Sequence, residues 1–266
     1  PPEEREHYLP LLDAALSHVR HDDAAYEPLL TLKLSLLAPP VQQKAAANID
    51  EALAALFPVY ARLAKSPLFA PLDKSLRTAE SLHQSTAGHA EADQAPPILL
   101  WMKVLEGWVH AWLAPKLASL QRDPSSFVDL LDKLHVGWPA YQDWLTTRWN
   151  ERPSMGDAKV EVPLRGAVNA LRAFQERASR RLDSPLSITE WGRLMLFFAV
   201  DQPPLARNVF HLPGKSADAM ARLAHKLQTL AAVRNLVTHR ASASAPTVVA
   251  FRREYYAAFE ELARLA

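Results

Sequence analysis

Residues 98–121 read ILLWMKVLEGWVHAWLAPKLASLQ, and their spacing decides the fold class. Trp101, Leu105, Trp108 and Trp112 fall at i, i+4, i+7 and i+11, one stripe of an α-helix rather than the alternation of a strand. Bulky apolar residues on one stripe predict a helix packed against others. A base-stacking platform would instead be open and flanked by arginine. The stretch is also the most membrane-like in the chain. Lys103, Glu106 and His110 interrupt it, so it falls short of the roughly 18–20 apolar residues that a span requires.

Helical periodicity continues outward in both directions. Before this stretch, helices are predicted over 4–20, 26–38, 41–65 and 72–83. The third should bend at Pro58, because an interior proline removes a hydrogen bond. After it, helices are predicted over 126–135, 141–150, 164–182, 187–200, 216–240 and 247–265, with Ser216 as an N-cap. Only AKVEVP, around Val160 and Val162, reads otherwise, as an extended linker or a short β ribbon. Seven glycines in 266 residues are too few for the turns of a dinucleotide-binding sheet or an all-β fold. The expected fold is an all-α helical bundle. Proline, glycine and charge cluster at 151–161, which predicts a helical domain over 1–150, a linker over 151–162 and a second bundle over 163–266.

Composition narrows the chemistry. A 49% hydrophobic content supports a packed core rather than disorder. The absence of cysteine excludes disulfides, thiolate zinc sites, iron–sulfur clusters and cysteine nucleophiles. No metal or cofactor is expected. His18 and His21 have metal-compatible spacing but sit at a polar helix end, and the pair Asp129 and Asp132 has no third ligand. Gly214-Lys215-Ser216 lacks the earlier glycine and preceding strand of a phosphate loop. The start Pro1-Pro2-Glu3-Glu4, without Met or an apolar leader, leads to the expectation of a soluble, cytoplasmic piece of a longer protein with no membrane partner.

The net charge of +1 conceals a division. Residues 1–162 carry 15 Lys and Arg against 21 Asp and Glu, while residues 163–266 carry 15 against 8. Thirteen of the 15 cations in the second part are arginine, the better bidentate partner for phosphate. Any polyanion that binds should therefore meet the second part.

The predicted helix over 216–240 runs out through LAAVRNLVTHRASASAP, residues 230–246. Asn235 and His239 stand at i, i+4 and share a face, so the amide can orient the imidazole. Arg234 and His239 are five residues apart, about 500° of rotation, and project about 140° from each other. They meet at one phosphate only through a distorted helix end, a long reach or a second subunit. A histidine has the ordinary pKa for acid–base work near neutrality, and an arginine can stabilise charge developing on a phosphoryl group. Arg240, Arg252 and Arg253 lie close by in sequence and suit backbone phosphates. The same residue types at a helix C-terminus also cap carbonyls and offset the macrodipole without further function.

The spacing Arg234–x4–His239, with Asn235 directly after the arginine, resembles the Arg-x4–6-His signature of HEPN domains. These are four- to five-helix bundles found in toxins, CRISPR effectors and other anti-phage ribonucleases. SITEWGRLMLFF, residues 187–198, is similar to the helix that precedes the motif helix, and FRREYYAAFEELARL, residues 251–265, to the last helix. The resemblance covers 163–266, about 40% of the chain. Arginine and histidine at the allowed spacings occur about twice by chance in this composition. The second occurrence is Arg77 with His83, and Thr78, not Asn, follows that arginine. Requiring the asparagine lowers the chance expectation to about 0.04.

The resemblance implies a metal-independent endoribonuclease that cleaves through attack by the substrate's 2′-hydroxyl, with Arg234, Asn235 and His239 in the site. It implies a homodimer whose two motif helices form a composite cleft, and a role in anti-phage defence or as a toxin with a regulatory protein partner. The alternative is a catalytically inert helical module that binds protein or RNA within a larger protein.

Overall fold

The computed structural model of the chain describes residues 43–87, 95–121, 146–164, 186–199, 217–240 and 242–265, with scattered positions between 8 and 29. Its elements are α1 (Gln43–Leu56), α2 (Tyr60–Leu63), α3 (Ala70–Thr86), α4 (Ala95–Gln121), β1 (Ser154–Met155), β2 (Ala158–Lys159), α5 (Ile188–Ala199), α6 (Ala217–Arg240) and α7 (Ala245–Leu265). Helix accounts for 77% of these residues and the two strands are two residues each, so the chain is all-α. The helices expected over 126–135, over most of 4–20, 26–38 and 164–182, and over the first half of 141–150 lie outside the described residues. So do Ser216, Gly214, Lys215, His21, Asp129 and Asp132. Of 146–150, Thr146 alone is helical.

Proline placement shapes the early helices. The helix expected over 41–65 is interrupted, not bent. Leu56 ends α1, Phe57 to Val59 form a turn around Pro58, and α2 follows. Pro71 sits in the first turn of α3, where its missing N–H costs nothing, and Asp73 favours the positive end of the helix. Ser187 and Glu190 form a reciprocal cap before α5. The Ser187 N–H and hydroxyl donate to Glu190 Oε2 at 2.8 and 2.9 Å, and the Glu190 N–H returns to Ser187 Oγ at 3.3 Å.

Helix α4 is buried on more than the predicted stripe. Met102, Val104 and Val109 are as inaccessible as Trp101, Leu105 and Trp108. A helix apolar on most sides is a central helix, and α4 packs along α3 while touching α5, α6 and α7. Trp101 stacks on Phe251 with ring centroids 6.2 Å apart, and Trp108 meets Phe259 at 5.1 Å. Both partners belong to α7, so the tryptophan stripe joins the two halves of the sequence. Among the described residues, one apolar cluster runs from Ile49 to Ala263. No helix among them is long and apolar enough to cross a membrane.

Of the two readings of the 151–162 stretch, the short β ribbon is the one found. Residues 154–159 form an antiparallel hairpin that pairs Ser154 with Lys159 and Met155 with Ala158. Met155, Ala158, Val160 and Val162 are buried, and the Trp149 indole N–H donates to the Val162 carbonyl at 2.6 Å. Strands this short show too little alternation for the sequence to decide between ribbon and linker, or to show that the turn is packed. The boundary at 151–162 therefore does not separate two cores among the described residues.

Gly156 turns this hairpin at φ +59°. A Cβ there would stand 2.5 Å from the carbonyl carbon and oxygen of Pro246, in the first turn of α7. Nearby, the Ser244 hydroxyl donates to Asp157 at 3.1 Å and accepts the Thr247 N–H at 3.3 Å, tying hairpin to helix start. Gly156→Ala should destabilise by about 1–3 kcal/mol through backbone strain, with the clash in addition. Thermal melting reads this directly; an unchanged midpoint would mean that the turn tolerates a side chain.

Candidate functional site

Helix α6 carries the motif and is continuous from Ala217 to Arg240. Leu223, Leu227, Leu230, Val233 and Val237 are buried along it, mostly against α5, which fixes what the remaining positions face. Asn235 and His239 are exposed. Their shared face, read from the i, i+4 spacing, is open to solvent at the C-terminal end of the helix.

Arg234 turns elsewhere. Its side chain is 29% exposed, and Nη2 donates to Glu106 Oε1 of α4 at 2.8 Å. The Ile188 N–H, at the start of α5, approaches the same Glu106 oxygen at 3.4 Å. Glu106 thus holds a guanidinium from α6 and the positive end of α5. Three helices meet at one carboxylate. With α6 unbroken, the 140° between Arg234 and His239 stands, and one chain does not aim both at one phosphate. Asn235 and His239 share the exposed face by their spacing, and Arg234 is set on the neighbouring seam.

That seam holds several buried polar atoms with no hydrogen-bond partner. They are Arg234 Nε, His110 Nδ1, Trp191 Nε1 and Gln228 Nε2. His110 lies one turn beyond Glu106 on α4, and its ring centroid is 6.2 Å from that of Trp191. No sequence pattern singled out Glu106. It interrupts an apolar run, which is the only signal it leaves, and its partner is 128 residues away.

The expected phosphate contacts are spread out. The backbone of Arg240 closes α6, but its side chain lies outside the described residues. Arg253 is 77% exposed and pairs with neighbouring Glu254 at 3.1 Å. Arg252 is turned inward onto Glu80, a carboxylate of α3 with no exposed surface. Glu80 also accepts from the Trp101 indole at 3.0 Å and from the Tyr256 hydroxyl. Such a charge is tolerated in the core only because every side of it is met by a donor. Arg77, of the second Arg–His occurrence, bridges Asp50 at 2.6 Å and Asp73 at 2.8 Å, which accounts for it structurally. No group of metal-ligating residues occurs among the described residues.

Neither a family model, nor a curated protein, nor a solved structure matches this chain. Function must therefore be argued from the residues themselves.

Two histidines titrate abnormally. Burial lowers the pKa of His225, against the opposing effect of its 2.8 Å bond to the Asn150 carbonyl. Burial, followed by the charge of Arg252, lowers that of His83. Below the ordinary histidine range of about 6.5 the unfolded chain takes up protons that the folded chain resists. Stability should be fully present above that pH and fall as the pH drops toward the lowered values. Melting midpoints measured from pH 7.5 to 5 should decline, with a shallower slope in a His83→Asn/His225→Gln variant; equal slopes would remove these residues as the cause.

Proposed function

We propose that this chain is a metal-independent endoribonuclease of the HEPN type, acting in anti-phage defence or as a toxin in the cytoplasm. The observation that carries the reading is the exposed pair Asn235 and His239 at the end of an unbroken helix, directly after Arg234. An acid–base histidine must be open to solvent, and His239 is exposed. In the reaction, the 2′-hydroxyl of RNA attacks the adjacent phosphorus as a histidine takes its proton. The 5′-oxygen leaves with a proton from an acid, and a 2′,3′-cyclic phosphate remains. Arg234, anchored by Glu106, stabilises the charge on the phosphoryl oxygens. Because one chain directs Arg234 and His239 apart, the active form is a two-fold dimer that pairs motif helices, the commonest oligomeric symmetry. Arg240 holds a flanking phosphate.

A second reading is favoured by the Arg234–Glu106 ion pair itself. A guanidinium committed to a carboxylate has part of its charge offset, and the pair then serves to join α4 to α6 in an inert module that binds RNA or protein. Incubating the chain with mixed RNA in EDTA, beside His239→Ala, separates the two. Cleavage in chelator that the variant lacks supports the nuclease. Binding without cleavage, or cleavage equal in both proteins, leaves only the module.

A further inference from the structure

We infer that the pocket between α3 and α7 receives an unpaired guanine base, and so gives the proposed ribonuclease a sequence preference; this rests on the RNA reading above only for its biological setting. The pocket, half open to solvent, has a volume of about 320 Å³, at the small end of the range for ligand sites, which begins near 300 Å³. Arg252, Tyr256 and Glu260 line it at i, i+4 and i+8 of α7, so a donor, a ring and an acceptor follow one another along about 12 Å of helix. His83 closes one side, and Leu56 and Val249 form an apolar rim. Val249 is 61% exposed, an unusual placement for a valine on a helix with so many buried neighbours.

The charges at this pocket are already matched. Arg252 is held by Glu80, Arg253 by Glu254, and Glu260 by Arg264. Burial keeps His83 below the ordinary histidine pKa and so neutral at pH 7. A bare phosphate would gain little there. A neutral, flat heterocycle with both acceptors and donors fits better.

The donor set is also preorganised. Arg252 points Nε and Nη2 at Glu80, with Nε 3.1 Å from Oε2, so its planar fork turns the Nη1 edge away from that carboxylate. Guanine offers O6 and N7 to such a donor, while its N1–H and N2 amine suit a carboxylate such as Glu260. Adenine places an amine where guanine has O6 and has no N1–H. Cytosine offers an amine in place of the acceptor, and uracil offers one acceptor and one donor to each partner instead of two. The apolar rim of Leu56 and Val249 supplies apolar contact to the base, over a buried Tyr256 that is 3% exposed.

The test is calorimetric titration of the full 266-residue chain with each of the four nucleoside monophosphates and with inosine monophosphate. Guanosine monophosphate should bind at least about tenfold more tightly than the other three, and inosine monophosphate, lacking the N2 amine, should fall between. Glu260→Gln should weaken guanosine monophosphate by about tenfold or more. Ala257→Phe, which fills the pocket from an exposed position without touching Glu80, should abolish binding while melting is unchanged. Equal binding of all nucleotides, no binding, or binding indifferent to both substitutions overturns the proposal. Nucleotide preference without RNA cleavage sinks the nuclease alone, and cleavage without nucleotide preference sinks the pocket alone.

Discussion

Glu80→Ala should be among the most destabilising single substitutions in this chain, at about 3–5 kcal/mol. Glu80 has no exposed surface, and its two oxygens receive the Trp101 indole N–H at 3.0 Å, the Tyr256 hydroxyl, and the Nε and Nη2 of Arg252. Alanine removes every acceptor at once. The guanidinium, only 19% exposed, loses its counter-charge, and an indole and a phenol are left without partners inside an aromatic core. For a chain of this size each kcal/mol shifts the melting midpoint by about 2–4 °C. A fall of about 6–20 °C is expected by thermal melting. A double variant, Glu80→Leu with Arg252→Met, should melt above Glu80→Leu alone, because an apolar pair avoids the stranded charge. Strict additivity of the two single changes would show that the carboxylate and the guanidinium do not act as a pair.

The same residue marks the limit of what the sequence discloses. Leu76, Ala79, Glu80 and Leu82 are all buried on α3, so a carboxylate occupies a position that periodicity assigns to the core. Its spacing signals an anomaly, but its main partner is 172 residues away, beyond the reach of any local pattern. The tryptophan stripe of α4 was legible because a 3.6-residue period is local, and side chains that large must be buried together. What the stripe packs against was not legible, since α7 enters the chain only at Ala245. At 151–162 the short ribbon was legible as one of two readings, but its packing was not, because proline, glycine and charge mark tight packed turns as well as open linkers. That Asn235 and His239 share a face followed from helix geometry, whereas their exposure did not. The inward turn of Arg234 did not, because Glu106 lies on another helix and leaves no trace near the motif.

His239→Ala should lower RNA cleavage by about 10²–10⁴-fold, the usual loss when an oriented acid–base group is removed. Its helical content and melting midpoint should be unchanged, since His239 is exposed and contributes little to the core. Arg234→Ala should be equally inactive but should also melt lower, because it strands Glu106 on the seam of three helices. Glu106→Gln separates these effects. It keeps a carbonyl acceptor for Nη2 while removing the negative charge that offsets Arg234. If Glu106 positions the guanidinium, this variant should retain substrate binding and lose part of kcat, so that kcat falls while KM holds. If Glu106 serves only to join helices, cleavage should be unchanged at temperatures below melting. Asn235→Ala should cost less than either change to the reacting groups, since the amide acts through the imidazole. A substrate with one 2′-deoxy position should resist cleavage at that position alone, because the attacking oxygen belongs to the RNA. Equal cleavage by wild type and His239→Ala would end the enzymatic reading, whatever the other variants did.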